Sequence, residues 1–221
     1  MISKILMATH NQGKVTELKG LLEDFPVRIH TLEDFPALPE IEEKGATFQE
    51  NAIQKAKIAA EFTGLITLAD DSGLEVDALQ GQPGVYSARF AGAPCNDQKN
   101  NQKLLRLLQA VPPVQRTASF VCVIALASPA GEIYTCEGRC KGVILGKPKG
   151  TSGFGYDPLF YLPELGKTMA ELTLEEKNSV SHRAKALKAM IARLKRTIQD
   201  SDYEKCRFYK ERDKVSDECS R

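Results

Sequence analysis

Residues 47–73, TFQENAIQKAKIAAEFTGLITLADDSG, decide the fold class. Thr47 and Glu50 make the T-x-x-E pattern of a capping box, which opens a helix through Ala60. Leu65 to Ala69 is apolar and suited to a strand, and it leads without a break into Asp70-Asp71-Ser72-Gly73. Helix and strand alternate in the flanking sequence as well. Residues 4–8 read as a buried strand, followed by a helix with Asn11 as its N-cap and Val15, Leu18, Leu21 and Leu22 at helical spacing. Residues 27–31 suit a second strand, and the Pro- and Glu-rich stretch 33–45 a loop. Downstream, 97–109 suggest a helix, and 117–127 and 133–143 two long strands joined as a hairpin across Ser128-Pro129-Ala130-Gly131. Thr173 and Glu176 repeat the capping box and start a helix from about 174 to 195. Val180, Ala184, Leu187, Ile191 and Leu194 form its apolar stripe. An α/β or α+β fold with a mixed sheet is expected, in one domain over 1–196. The charged segment 197–221 is expected to fray or to dock loosely.

Composition narrows the function classes. The chain has 221 residues, 42% of them hydrophobic and 27% charged, which is globular composition with enough apolar side chains for a core. Thirty basic and 29 acidic residues leave a net charge of +1, which argues against a nucleic-acid polymer as partner. It leaves a small anionic ligand open. No apolar run reaches the ~18 residues that span a bilayer, and the N-terminal apolar stretch is too short for a signal peptide. A cytoplasmic protein without a membrane partner is expected. The six cysteines are dispersed, as in a reducing compartment, and His10, His30 and His182 give no zinc-finger spacing.

Four stretches carry candidate chemistry. Thr9-His10-Asn11-Gln12-Gly13-Lys14 stands between a strand and a helix N-terminus, where unpaired N–H groups and a lysine suit phosphate. Taken alone, it reads first as a helix cap with a solvated lysine. Glu42, Glu43, Asp70 and Asp71 form an acidic set, and carboxylates at the end of an apolar strand call for cations or donors. Magnesium, with one or two carboxylates and phosphate oxygens, answers that demand, and a simple Asp-Asp-Ser-Gly turn answers it equally. Phe154-Gly155-Tyr156-Asp157 offers aromatics beside glycines, for stacking on a base or for an ordinary anchored loop. Lys177, Ser181, His182 and Arg183 fall on the last helix, with His182 nearly opposite the apolar stripe and Arg183 on its flank. Cationic side chains so near a helix start gain nothing from its dipole and point to an anionic or polar ligand nearby. Together the four sets are a parts list for a nucleotide–magnesium site.

With these residues quoted, the sequence resembles the inosine triphosphate pyrophosphatase family, in its bacterial dITP/XTP pyrophosphatase branch. The resemblance runs from about residue 3 to 195, through THNQGK (9–14), FQENA (48–52), ADDSGL (69–74), GVYSARFAG (84–92), GFGYDP (153–158) and EKNSVSHR (176–183). It implies an elongated, two-lobed α/β fold with a central mixed sheet and an active site in the cleft. It also implies a homodimer and Mg²⁺-dependent cleavage of non-standard purine triphosphates (ITP, dITP, XTP) to monophosphate and pyrophosphate. Thr9 to Lys14 would hold the triphosphate, and Glu43 and Asp71 the metal, with Asp71 also the proton acceptor. Ser72, Phe154, Gly155, Tyr156, Asp157, Lys177, His182 and Arg183 would contact the nucleotide. His10 stands where family members often carry a small residue, and 197–221 lie outside the pattern.

Overall fold

The structure, a computed structural model, describes residues 3–23 and 27–198. Most of the 197–221 segment therefore lies outside the described residues.

One mixed sheet of seven strands organises the chain, in the order β2-β1-β3-β4-β5-β6-β7. β1 (Ser3–Met7) pairs in parallel with β2 (Val27–Thr31) and with β3 (Ile66–Val76). The remainder is antiparallel: β3 with β4 (Thr117–Ala127), then β5 (Ile133–Ile144), β6 (Phe160–Leu162) and β7 (Lys167–Thr168). β6 and β7 are too short to have left a periodic signal in the sequence.

The expected caps are present. Asn11 accepts from the Lys14 N–H (3.1 Å) and opens α1 (Gln12–Leu21). Thr47 accepts from the Glu50 N–H (3.1 Å) and opens α2 (Phe48–Thr63), which ends at Gly64 in the left-handed conformation. The second half of that capping box is altered, because the Glu50 carboxylate takes the Ala46 N–H (2.7 Å) instead. Ala52, Ala56, Ala59 and Ala60 are buried, so α2 lies close against Ala69, Val121, Val123 and Ala125 of the sheet. α3 (Asp97–Leu107) starts at the Asn96 cap.

Two expectations are corrected. The strand expected to stop at Ala69 continues through Asp70-Asp71-Ser72-Gly73 to Val76, so these residues form no turn. Ten consecutive pairings with β4, from Thr67↔Ala127 to Val76↔Ala118, outweigh the turn-like composition. The single helix expected over 174–195 is two: α4 (Leu174–Val180) and α5 (182–198), separated by an extended Ser181. Ser181 ends one helix and caps the next, its hydroxyl accepting from the Ala184 N–H (3.1 Å). The break also overturns the outward placement of His182 and Arg183, which are buried. α5 begins directly on the sheet, where a Cβ at Gly138 would stand 2.1 Å from the His182 carbonyl oxygen.

The α1/α5 face of the sheet carries two separate apolar cores. Ile66, Leu68, Cys122, Ile124 and Leu126 pack with Leu18, Leu187, Met190 and Leu194 in one. Leu74, Val76, Ala118 and Phe120 pack with Leu104, Leu108, Phe160 and Leu172 in the other. Between them on β3 come Asp70 and Ser72, which meet ionic and polar partners instead of hydrocarbon. A polar seam across one sheet therefore separates two lobes of packing.

Candidate active site

Strand alternation sends Asp70 and Asp71 to opposite faces of β3. β1 ends at Met7 opposite Leu68, so the β3 edge beyond that point is left to the turn between β1 and α1. Asp71 thus faces a cavity of about 570 Å³, while Asp70 is buried behind it against Lys14 and Arg183, which themselves line that cavity.

On the α2 face, Asp71 accepts from Asn51 Nδ2 (2.9 Å), with Lys55 Nζ 3.9 Å from its other oxygen. The same ammonium lies 2.5 Å from Glu43 Oε1 and donates to the Asp70 carbonyl (2.8 Å). Glu43 is further flanked by the Arg89 guanidinium at 3.7 Å. Two carboxylates from distant segments therefore share one cation. Burial raises the Asp71 pKa above the usual carboxylate value, with the neighbouring Glu43 charge adding, against the pull of Lys55 and Lys14. For Glu43 burial also pushes upward, but Lys55, Lys14 and Arg89 outweigh it and the pKa is lowered. Lys55 is held charged: its burial is outweighed by Asp71, Asp70 and Glu43.

The opposite face is a buried ionic network. Asp70 Oδ2 takes Lys14 Nζ (3.0 Å) and the Arg183 guanidinium (3.2 Å), which hold its pKa well below the ordinary range despite complete burial. Arg183 also donates to Glu17 and to Ser72 Oγ (2.9 Å). Glu17 reaches Lys177 Nζ (2.6 Å), which in turn meets Asp157 Oδ2 (2.7 Å). Phe154 lies over this network, its ring centroid 5.0 Å from Lys177 Nζ and 5.8 Å from the Arg183 guanidinium. His182 stacks on Phe120 (centroids 4.9 Å apart), and its buried Nδ1 has no partner among the described residues. Burial, with the charges of Arg183 and Lys177, drives the His182 pKa well below 6.5, so the ring is neutral.

The cavity wall gathers Thr9, His10, Asn11, Lys14, Glu43, Asp71, Ser72, Phe154, Gly155, Tyr156, Asp157, Lys177, His182 and Arg183. Gln12 and Gly13 are not part of it. Gln12 bonds outward to Glu33 (2.8 Å), and Gly13 makes room for Phe154, since a Cβ there would lie 2.5 Å from its ring. Sequence reasoning missed Glu17, Asn51, Lys55 and Arg89. The signal for two of them was legible: Asn51 and Lys55 sit within the buried stripe of α2 with Phe48, Ala52, Ala56 and Ala59. A polar pair inside an apolar stripe demands partners.

Comparison with known proteins agrees with this architecture. The model of the Ham1 family matches residues 5–193. A dITP/XTP pyrophosphatase of Desulforamulus reducens is 59% identical over 193 residues, covering 87% of this chain and 96% of that protein. One from Geobacter sulfurreducens is 56% identical over 186 residues, covering 84% and 94%. Among solved structures, a HAM1 protein from Coxiella burnetii superimposes with a TM-score of 0.80 at 44% identity, covering 88% of this chain and 99% of that one. The Staphylococcus aureus Ham1 protein gives 0.78 at 42% identity, covering 87% and 98%. The family model spans most of the chain, the relatives and solved structures match it over nearly their whole length, and the chain belongs to the Ham1 family.

Proposed function

We propose that this chain hydrolyses non-standard purine nucleoside triphosphates (ITP, dITP and XTP) to the monophosphate and pyrophosphate, and so clears them from the nucleotide pool. The observation that carries the reading is Glu43 and Asp71 converging on the single Lys55 ammonium, in a cavity whose other wall bears Lys14, Lys177 and Phe154. The names of the similar proteins, dITP/XTP pyrophosphatase, support it.

Mg²⁺ fits these residues. Glu43 and Asp71 are hard oxygen donors that already share a cation, and the Glu43 charge contributes to the raised Asp71 pKa, a repulsion that a dication relieves. Glu43 and Asp71 would hold the ion, and when bound it supplies charge neutralisation between phosphate oxygens. Lys14 and the N–H groups around the Asn11 cap receive the triphosphate, and the cations stabilise the leaving pyrophosphate. Asp71 would orient a water for in-line attack at the α-phosphorus and take up its proton.

Base selectivity falls to His182. Hypoxanthine and xanthine carry a 6-keto group and N1–H, whereas adenine presents a 6-amino group and a bare N1. The Nδ1 of His182, which has no partner among the described residues, would read such an edge, and an ill-matched buried group discriminates strongly. Arg183 has a different part. Its Nε, Nη1 and Nη2 already donate to Asp70, Glu17 and Ser72, so it holds the wall in place more than it reads the base.

Residues 1–196 would form the catalytic domain of a cytoplasmic homodimer. Pyrophosphate release should require Mg²⁺ and be far faster with ITP than with GTP or ATP. Equal rates for the three would end the selectivity claim. Removal of 199–221, which lie beyond the residues that the family model matches, should leave ITP turnover within about twofold.

A further inference from the structure

We propose that Asp97 and Asn101 of α3 clamp Gly155 and thereby position the Phe154 ring in the cavity. The proposal rests on the reading above in one respect, namely that Phe154 faces the nucleotide.

Both backbone polar groups of Gly155 are taken by one helix. Its N–H donates to Asp97 Oδ2 (2.7 Å), and its C=O accepts from Asn101 Nδ2 (2.9 Å). Asp97 and Asn101 are four apart and so share a face of α3. An aspartate in a first helical turn is ordinarily explained by the helix dipole alone. Here it also reaches a backbone group 58 residues away. Gly155 has φ of +61°, a conformation that favours glycine and leaves a freely pivoting link next to Phe154 unless something holds it.

The neighbours are fixed too. The Phe154 N–H donates to Asp157 Oδ2 (3.0 Å), and the Tyr156 hydroxyl donates to the Ser87 carbonyl (2.9 Å). Once Gly155 is held, the loop has little freedom left, and the Phe154 ring comes to rest over Lys177 and against Gly13. α3 braces a second wall by the same means. Asn100 accepts from the Ala91 N–H (2.7 Å) and donates to the Ala88 carbonyl (2.9 Å), close to Arg89, whose guanidinium flanks Glu43. α3 thus sets the distance between the aromatic wall and the acidic wall while contributing only Asp97 to the cavity surface.

The test uses the full chain, which contains six tyrosines and no tryptophan, so Phe154→Trp places the single tryptophan, excited selectively at the red edge of its absorption, at the position in question. In that background, Asp97→Ala with Asn101→Ala should raise acrylamide quenching about threefold, whereas Asp97→Asn, which keeps an acceptor for the Gly155 N–H, should not. In the otherwise unaltered enzyme the double alanine variant should raise KM for ITP about tenfold with kcat within about threefold, the signature of lost pre-organisation. Inhibition by inorganic tripolyphosphate, which has no base, should stay unchanged. Unchanged quenching in a folded double variant overturns the clamp. Raised quenching with unchanged KM overturns its part in substrate positioning. Phe154→Ala separates the two readings: if it too leaves KM unchanged, the assignment of Phe154 to the nucleotide has failed, whereas if it raises KM, the fault lies with the clamp.

Discussion

Adjacent residues of one strand, Asp70 and Asp71, have different environments and therefore different chemistry. Asp70 is locked to Lys14 and Arg183 with a depressed pKa, whereas Asp71 has a raised one and borders the cavity. Asp71→Asn should keep the fold, by far-UV circular dichroism and thermal unfolding, and lower kcat by roughly 10²–10⁴. An unchanged kcat would remove Asp71 from the mechanism. His182 gives a pH prediction. Its folded pKa is depressed, so as pH falls below about 6.5 the unfolded chain takes up a proton that the folded chain refuses, and stability drops. Denaturant midpoints between pH 7 and 5 should fall less steeply in His182→Gln than in the parent, and equal slopes would contradict the burial of a neutral ring. The sequence identified these side chains as candidates. It did not show their pairing, because Asp70 and Arg183 are 113 positions apart and nothing local marks an ionic bond across that span.

At the level of elements, capping was the legible part. Asn11, Thr47 and Thr173 all begin helices where their side chains said they would. The errors came where tertiary pairing outweighed local preference. Asp-Asp-Ser-Gly is turn composition, yet β4 pairs along its whole length. The break at Ser181 was hidden because 174–195 keeps nearly helical spacing on both sides of it, and only contact with Gly138 shows where α5 must start. Gly138→Ala tests that contact. The added methyl would meet the His182 carbonyl and the Ala186 N–H, so a loss of about 1–3 kcal/mol or more is expected, together with reduced turnover as His182 shifts. Full stability and activity would mean that α5 has room to move away from the sheet at no cost.

For the molecule as a whole, the mixed character of the fold was legible from the order of helices and strands, whereas its division into two lobes was expected only through the family resemblance and not from the pattern of residues. That division follows from ionic groups standing where β3 would otherwise carry apolar side chains, between the cores around Leu68 and Leu74. Loops from both lobes meet at the cavity, so an ion held by Glu43 and Asp71 should stiffen the whole chain. Mg²⁺ should raise the unfolding temperature of the parent protein, EDTA should reverse the rise and stop pyrophosphate release, and Glu43→Gln should weaken both responses. A Tm indifferent to Mg²⁺ at millimolar concentration would argue against this ion. The two-residue period of β3 also makes the enzyme intolerant of frame. Deleting one residue ahead of Asp70 would turn the anchor onto the opposite face, at the place of Ala69, and set the proposed reagent in the anchor's position, so a single lost codon would disable support and chemistry together, whereas many substitutions elsewhere would spare both.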